Sequence, residues 1–174
     1  MAEKHEEITD LFSMFHDFDI IEAELNDEVL VLEIMIPWGS MWIKDDYEYM
    51  IKVELLGCKY FNCEYCKLLS QELIKVGDKY QIDSEKINTT NAKDLKDLAL
   101  SVQKSDYIEL DKYELYCDSE NRFIEFATLS ISANDYRIFD NANNEISLDT
   151  MKKWAIEWWK GIQKMGGEKK KSLE

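Results

Sequence analysis

Ile20-Ile21-Glu22-Ala23-Glu24-Leu25-Asn26-Asp27-Glu28-Val29-Leu30-Val31-Leu32-Glu33-Ile34-Met35-Ile36 is the stretch whose reading decides the fold. Ile20 or Ile21, then Ala23 and Leu25, alternate with acidic residues, the period of a half-buried strand. Asn26-Asp27-Glu28 then interrupts with turn chemistry, and a second apolar run follows to Ile36. Strand, turn and strand make a β-hairpin.

Upstream, Ile8, Leu11, Phe12 and Phe15 take the i, i+3, i+4, i+7 spacing of an amphipathic helix over residues 3–15. The period changes after His16-Asp17. Downstream, Pro37-Trp38-Gly39-Ser40 holds the only proline, so 37–46 reads as a loop. Alternation resumes over 47–58 with Tyr47, Tyr49, Ile51, Val53 and Leu55, and the strand continues or bends at Gly57 into 59–66. Residues 68–90 carry no decisive period: 68–76 suits a short helix or a strand, and 77–90 suits a loop with a short strand near Tyr80. Asn91 is placed to cap a middle helix over 91–104, with Leu95, Leu98, Ala99 and Val102 on one face. Strands follow near 107–117, 122–131 and 135–139. Ser147 then caps a helix over 147–165, striped by Met151, Trp154, Ala155, Trp158, Ile162 and Met165. Hairpins with helices at both ends and one between predict an α+β fold with an antiparallel sheet.

The chain has 174 residues, 45% of them hydrophobic, enough for one domain over 1–167 with a sizeable core. Lysines fill the segment 168–174, which reads as a disordered tail, and Leu173-Glu174 looks like a cloning scar. Against 36 Asp and Glu stand 21 Lys and Arg, a formal charge of −15. That balance argues against nucleic acid and anionic membrane as partners, since both are negatively charged. No apolar run reaches the roughly 18–20 residues of a membrane span. The charged start, Met1-Ala2-Glu3-Lys4-His5-Glu6-Glu7, is unlike a signal peptide and implies a cytoplasmic protein. Arg122 and Arg137 are the only arginines, a bias toward lysine that suggests an AT-rich bacterial genome.

The acid is uneven. Residues 1–66 hold 16 acids and 4 lysines, whereas 151–174 hold 3 acids and 7 lysines. Glu22, Glu24, Asp27, Glu28 and Glu33 decorate the hairpin; Asp45 and Asp46 belong to the loop after it. This region is either a solvated sheet face or a negative patch that steers a basic protein partner. Trp38 and Trp42 flank Gly39 beside it, placed to anchor the loop or to stack on a ligand.

Cys58, Cys63 and Cys66 stand in C-x4-C-x2-C spacing, with Cys117 further on. Without an export signal these read as thiols or metal ligands. Three near thiolates and a remote fourth suit zinc or a [2Fe–2S] cluster. The spacing resembles that of plant-type ferredoxins, but Lys59, Tyr60, Phe61, Asn62, Glu64 and Tyr65 replace the small residues that let backbone amides wrap the sulfides. Structural thiols with no cofactor are the simpler reading, because free cysteine behaves as a small hydrophobe.

Catalytic patterns do not assemble. His5 lies near a terminus expected to fray, and His16-Asp17 suits local capping at a helix-to-strand corner. Phosphate loops, nucleophile elbows and HExxH are missing. Asp140-Asn141-Ala142-Asn143-Asn144-Glu145 lacks the sixth-position glycine and twelfth-position glutamate of a calcium loop.

The stretch Phe15-His16-Asp17-Phe18-Asp19-Ile20, the hairpin and the long strand to Leu56-Gly57 together resemble small uncharacterised bacterial α+β proteins, some grouped with the immunity proteins of polymorphic toxin systems. The resemblance spans residues 15–57. It implies a cytoplasmic, non-enzymatic protein that binds a toxin domain, with no active site to carry over.

Overall fold

In the computed structural model, residues 2–36, 49–76, 79–109, 111–157 and 160 are described. The chain runs α1 (Ala2–Ser13), β1 (Phe18–Asn26), β2 (Val29–Ile36), β3 (Tyr49–Leu56), β4 (Phe61–Val76), β5 (Lys79–Thr89), a 3-10 turn (Ala92–Asp94), α2 (Leu95–Leu98), β6 (Leu100–Glu109), β7 (Lys112–Ser119), β8 (Ile124–Ser132), β9 (Asp135–Phe139), β10 (Glu145–Ile146) and α3 (148–157). The fold is α+β, as the hairpin pattern implies. Its strands form one antiparallel sheet in the order β10-β9-β3-β2-β1-β6-β7-β8-β4-β5.

The hairpin forms where the sequence places it. Asn26 pairs with Val29, and Asp27 takes the left-handed conformation (φ 52) that aspartate tolerates in tight turns. Its inward residues Leu30, Leu32, Ile34 and Ile36 are buried together with Ile51, Val53 and Leu55 of β3. Ile8, Leu11, Phe12 and Phe15 of α1 close over the same core. At roughly 1.5–3 kcal/mol for each large apolar side chain removed from water, this packing dominates the stability of the sheet.

Only three residue pairs, Phe18–Val102, Asp19–Ser101 and Ile20–Leu100, join β1 to β6. The register of β1 against β2 slips between Ile20 and Glu22, and beyond that slip β1 continues with β2 alone. The sheet thus has two halves around one core: β1, β2, β3, β9 and β10, and then β4 to β8. The chain crosses between them at a corner. Gly57 (φ 69) turns β3 toward β4, and Ala133-Asn134 carries β8 into β9, with Asn134 N–H donating to the Leu56 carbonyl at 2.9 Å. Helix α1 ties both halves: His5 meets the β6–β7 turn, while Lys4 and Glu7 reach Asp135 and Tyr136 of β9.

Three expectations need correction. The middle helix does not span 91–104. Asn91 caps the 3-10 turn by accepting from Lys93 N–H, but α2 ends at Leu98, because Ala99 adopts φ 48 and reverses the chain into β6. Val102 mimics the helical spacing of Leu95 and Leu98, yet reaches the core from a strand. Over 68–76 the strand alternative holds, as part of β4, whereas the loop expected over 77–90 is strand from Lys79 to Thr89, far longer than the short strand read near Tyr80. Helix α1 stops at Ser13, with turn geometry to Asp17.

The expected C-terminal helix is described over 148–157, where Ser147 Oγ accepts from Thr150 N–H at 3.2 Å. Trp158, its continuation to 165 and the tail lie outside the described residues. No described helix is long and apolar enough to cross a membrane.

Candidate interaction face

On the first half, the side of the sheet opposite α1 is built from two cross-strand rows. Glu24, Val31, Glu54 and Arg137 stand opposite one another across β1, β2, β3 and β9; so do Glu22, Glu33, Lys52 and Phe139. Inward neighbours of both rows are core residues, so the pleat sends these side chains outward.

The structure pairs most of this charge internally. Lys96 of α2 contacts Glu22, and Lys93 lies 2.8 Å from Glu24. The Lys93 hydrogen bond, helped by Asn26, holds the Glu24 carboxyl below its ordinary value, and both lysines are raised in turn. Glu54 receives Lys52 and Arg137, each at 3.3 Å. Glu33 is the exception. It is exposed, stands between the like-charged Glu22 and the oppositely charged Lys52, and feels the Lys96 charge, but makes no salt bridge among the described residues.

Two shallow hollows flank Glu33. One, of about 320 Å³, is lined by Glu22, Glu24, Val31, Lys93 and Lys96; the other, of about 460 Å³, by Met50, Lys52, Asp140 and Asn141. Asp140 shapes the second by accepting from the Asn144 side-chain amide and from the backbone N–H groups of Asn144 and Ala142, which together hold its carboxyl low. Asn141 accepts from Met50 N–H at 2.8 Å. This is the capped turn expected of that segment.

Asp27 and Glu28 are exposed at the hairpin tip, away from these hollows. Asp45, Asp46, Trp38 and Trp42 lie outside the described residues. Sequence reading thus finds Glu22 and Glu24 but not the lysines that neutralise them, Lys93 of the 3-10 turn and Lys96 of α2, some seventy residues later.

The four cysteines are free. Cys58, Cys63 and Cys117 are buried, and Cys66 is half-buried. Burial pushes the Cys63 thiol up to about 12 and raises Cys58 and Cys117 also. Cys58 and Cys117 donate to the carbonyls of Tyr60 and Leu115. Among the described residues no group of three or more His, Cys, Asp or Glu is arranged to hold a metal ion.

His16 pairs only with its neighbour Asp17, on the surface. His5, by contrast, is tied to the body: Nε2 lies 2.8 Å from Asp111 and Nδ1 lies 3.1 Å from the Tyr113 hydroxyl. Tyr113 is 1% exposed, and burial pushes its hydroxyl up to about 12. A signal for this exists in the sequence, since His5 precedes Ile8 and Phe12 at i+3 and i+7 and so shares the inward stripe of α1. Comparisons with protein-family models, with curated proteins and with solved structures find no match to this chain.

Proposed function

We propose that the chain is a non-enzymatic protein-binding module, immunity-like and cytosolic in a bacterium, that recognises a basic protein through the β1–β2–β3–β9 face. The observation that carries the reading is Glu33, an exposed carboxylate that makes no salt bridge among the described residues and lies between two hollows on a sheet face whose other acids are paired. Glu33 stands between the like-charged Glu22, itself paired with Lys96, and the oppositely charged Lys52, so its row is balanced while its carboxylate is left open to a further cation. A partner's cation can pair with it there, and half-buried Val31, Met35, Met50 and Phe139 supply apolar contact around it. Opposite charge also accelerates capture, which suits a protein that must intercept a toxin.

The test titrates the purified chain with the protein encoded by the adjacent gene in its source genome. Binding is expected to weaken at least tenfold with Glu33→Lys, and also when salt rises from 0.1 to 1 M, which cuts the Debye length from about 10 to 3 Å. Glu125→Lys, on β8 of the other half, leaves it unchanged. Absence of binding, or binding indifferent to Glu33→Lys, overturns the proposal.

A further inference from the structure

The β4–β5 hairpin outgrows the sheet it belongs to. Strand β8 pairs with β4 only as far as Lys67–Ile124, after which the Leu68 N–H donates to the Phe123 carbonyl. Beyond that point no third described strand joins β4 and β5, whose pairing runs from Leu73–Ile82 to Val76–Lys79. Residues 82–86 are all exposed, on both faces of the strand, where a strand lying on a core would alternate. Leu69 is 53% exposed and Ile82 38%. A two-stranded ribbon alone in water is marginally stable, and β5 is an edge strand of the described sheet, its outer side a row of backbone groups with no strand partner among the described residues. The opposite edge of the sheet is blunted by the two-residue β10.

Charge indicates what pairs with this edge. The chain is strongly acidic, yet residues 67–82 hold Lys67, Lys75 and Lys79 against only Glu72 and Asp78. A basic partner gains little there, whereas a second copy meets no net repulsion. A two-fold pair of β5 strands must be self-complementary, because residue i opposes residue j in both directions. Centring the pair on Asp83, Glu85 or Lys86 sets a charge against itself, and centring on Ser84 opposes Asp83 to Glu85. Centring on Ile82 sets Ile82 against Ile82, Gln81 against Asp83, Tyr80 against Ser84, and Lys79 against Glu85 twice. Glu85 already stands opposite Lys67 within its own sheet, so the charges alternate across the junction.

We infer that the β5 edge is a homodimer interface in which two copies pair antiparallel about Ile82, making one continuous sheet. This surface lies on the other half of the molecule from the Glu33 face, so the two readings stand or fall separately.

The test is the mass of the full chain in solution by sedimentation. The expected mass is twice 20.6 kDa at concentrations up to about 0.1 mM, where a Kd of even ~10 μM shows clearly. Lys79→Glu and Glu85→Lys each weaken the dimer at least tenfold while circular dichroism stays native, and the double exchange restores it. Amide exchange along 79–85 slows with increasing concentration. A monomer throughout, or a dimer that ignores both single exchanges, overturns the inference.

Discussion

His5 on α1 and Tyr113 on β7 share a hydrogen bond of 3.1 Å across 108 residues of sequence. Phe12 rests edge-on against the same tyrosine ring, with centroids 5.1 Å apart. The pair joins the first helix to the second half of the sheet, one polar and one apolar contact on the same ring. Tyr113→Phe keeps the ring and removes the hydroxyl, so it is expected to cost about 1 kcal/mol. Phe12→Ala opens the core and costs about 3–5 kcal/mol. A double-mutant cycle of Tyr113→Phe with His5→Ala, read by urea denaturation, should show coupling; strict additivity refutes the tie.

Alkaline pH should unfold the protein through buried acids that are neutral in the native state. Tyr113 is raised from 10.0 to about 12, and Cys63 from 9.0 to about 12. The native state therefore holds protons that the unfolded chain has already released. Their stabilisation is complete below pH 9 and is lost as pH rises toward 12. The urea midpoint is expected to fall across that window. Tyr113→Phe with Cys63→Ala flattens the fall, and an unaltered slope contradicts the assignment.

Thiol chemistry should separate Cys66 from the rest. Cys58, Cys63 and Cys117 are buried with raised values, whereas Cys66 is half-buried. A disulfide reagent at pH 8 is expected to titrate one thiol quickly and three only after denaturant is added, since the thiolate is the reacting form. Cys66→Ser removes the fast phase. Several fast thiols would point to a looser core.

Gly57 is held by conformation and by space at once. Its φ is +69°, and a methyl group there would lie 2.6 Å from Asn134 Cγ. Gly57→Ala is expected to cost at least the 1–3 kcal/mol of a strained backbone position. Adding Asn134→Gly relieves the steric part only, so recovery in thermal melts stays partial. Full recovery would mean that the backbone conformation costs little.

Glu33→Thr should change the stability of the isolated chain by no more than about 0.5 kcal/mol, because the lost attraction to Lys52 and Lys96 offsets the relieved repulsion with Glu22 and threonine suits a strand. A larger loss of stability on that change would show that Glu33 serves the fold rather than a partner.

The fold was legible where one face was wet and the other dry. Leu30, Leu32, Ile34 and Ile36 alternate because α1 covers one side of β2 alone. Residues 68–90 resisted reading for the converse reason: residues 82–86 of β5 are exposed on both faces of the strand, so burial imposes no period there. Val102 misled because a buried strand residue can fall on a helical spacing, and nothing in Leu98-Ala99-Leu100 announces a left-handed Ala99. The acids of this outer face were legible, but their neutralisation by Lys93 and Lys96 was not, since it depends on the 3-10 turn and α2 settling beside β1.

The corner at Gly57 and Asn134 bears on synthesis. Because β4 to β8 are inserted between β3 and β9, Leu56 leaves the ribosome well before its partner Asp135. At about 5–20 residues per second the outer edge of β3 waits on the order of 4–16 s unpaired. The nascent chain thus carries a sticky apolar strand for seconds, and its yield in a cell should depend on chaperones more than the stability of the finished protein suggests.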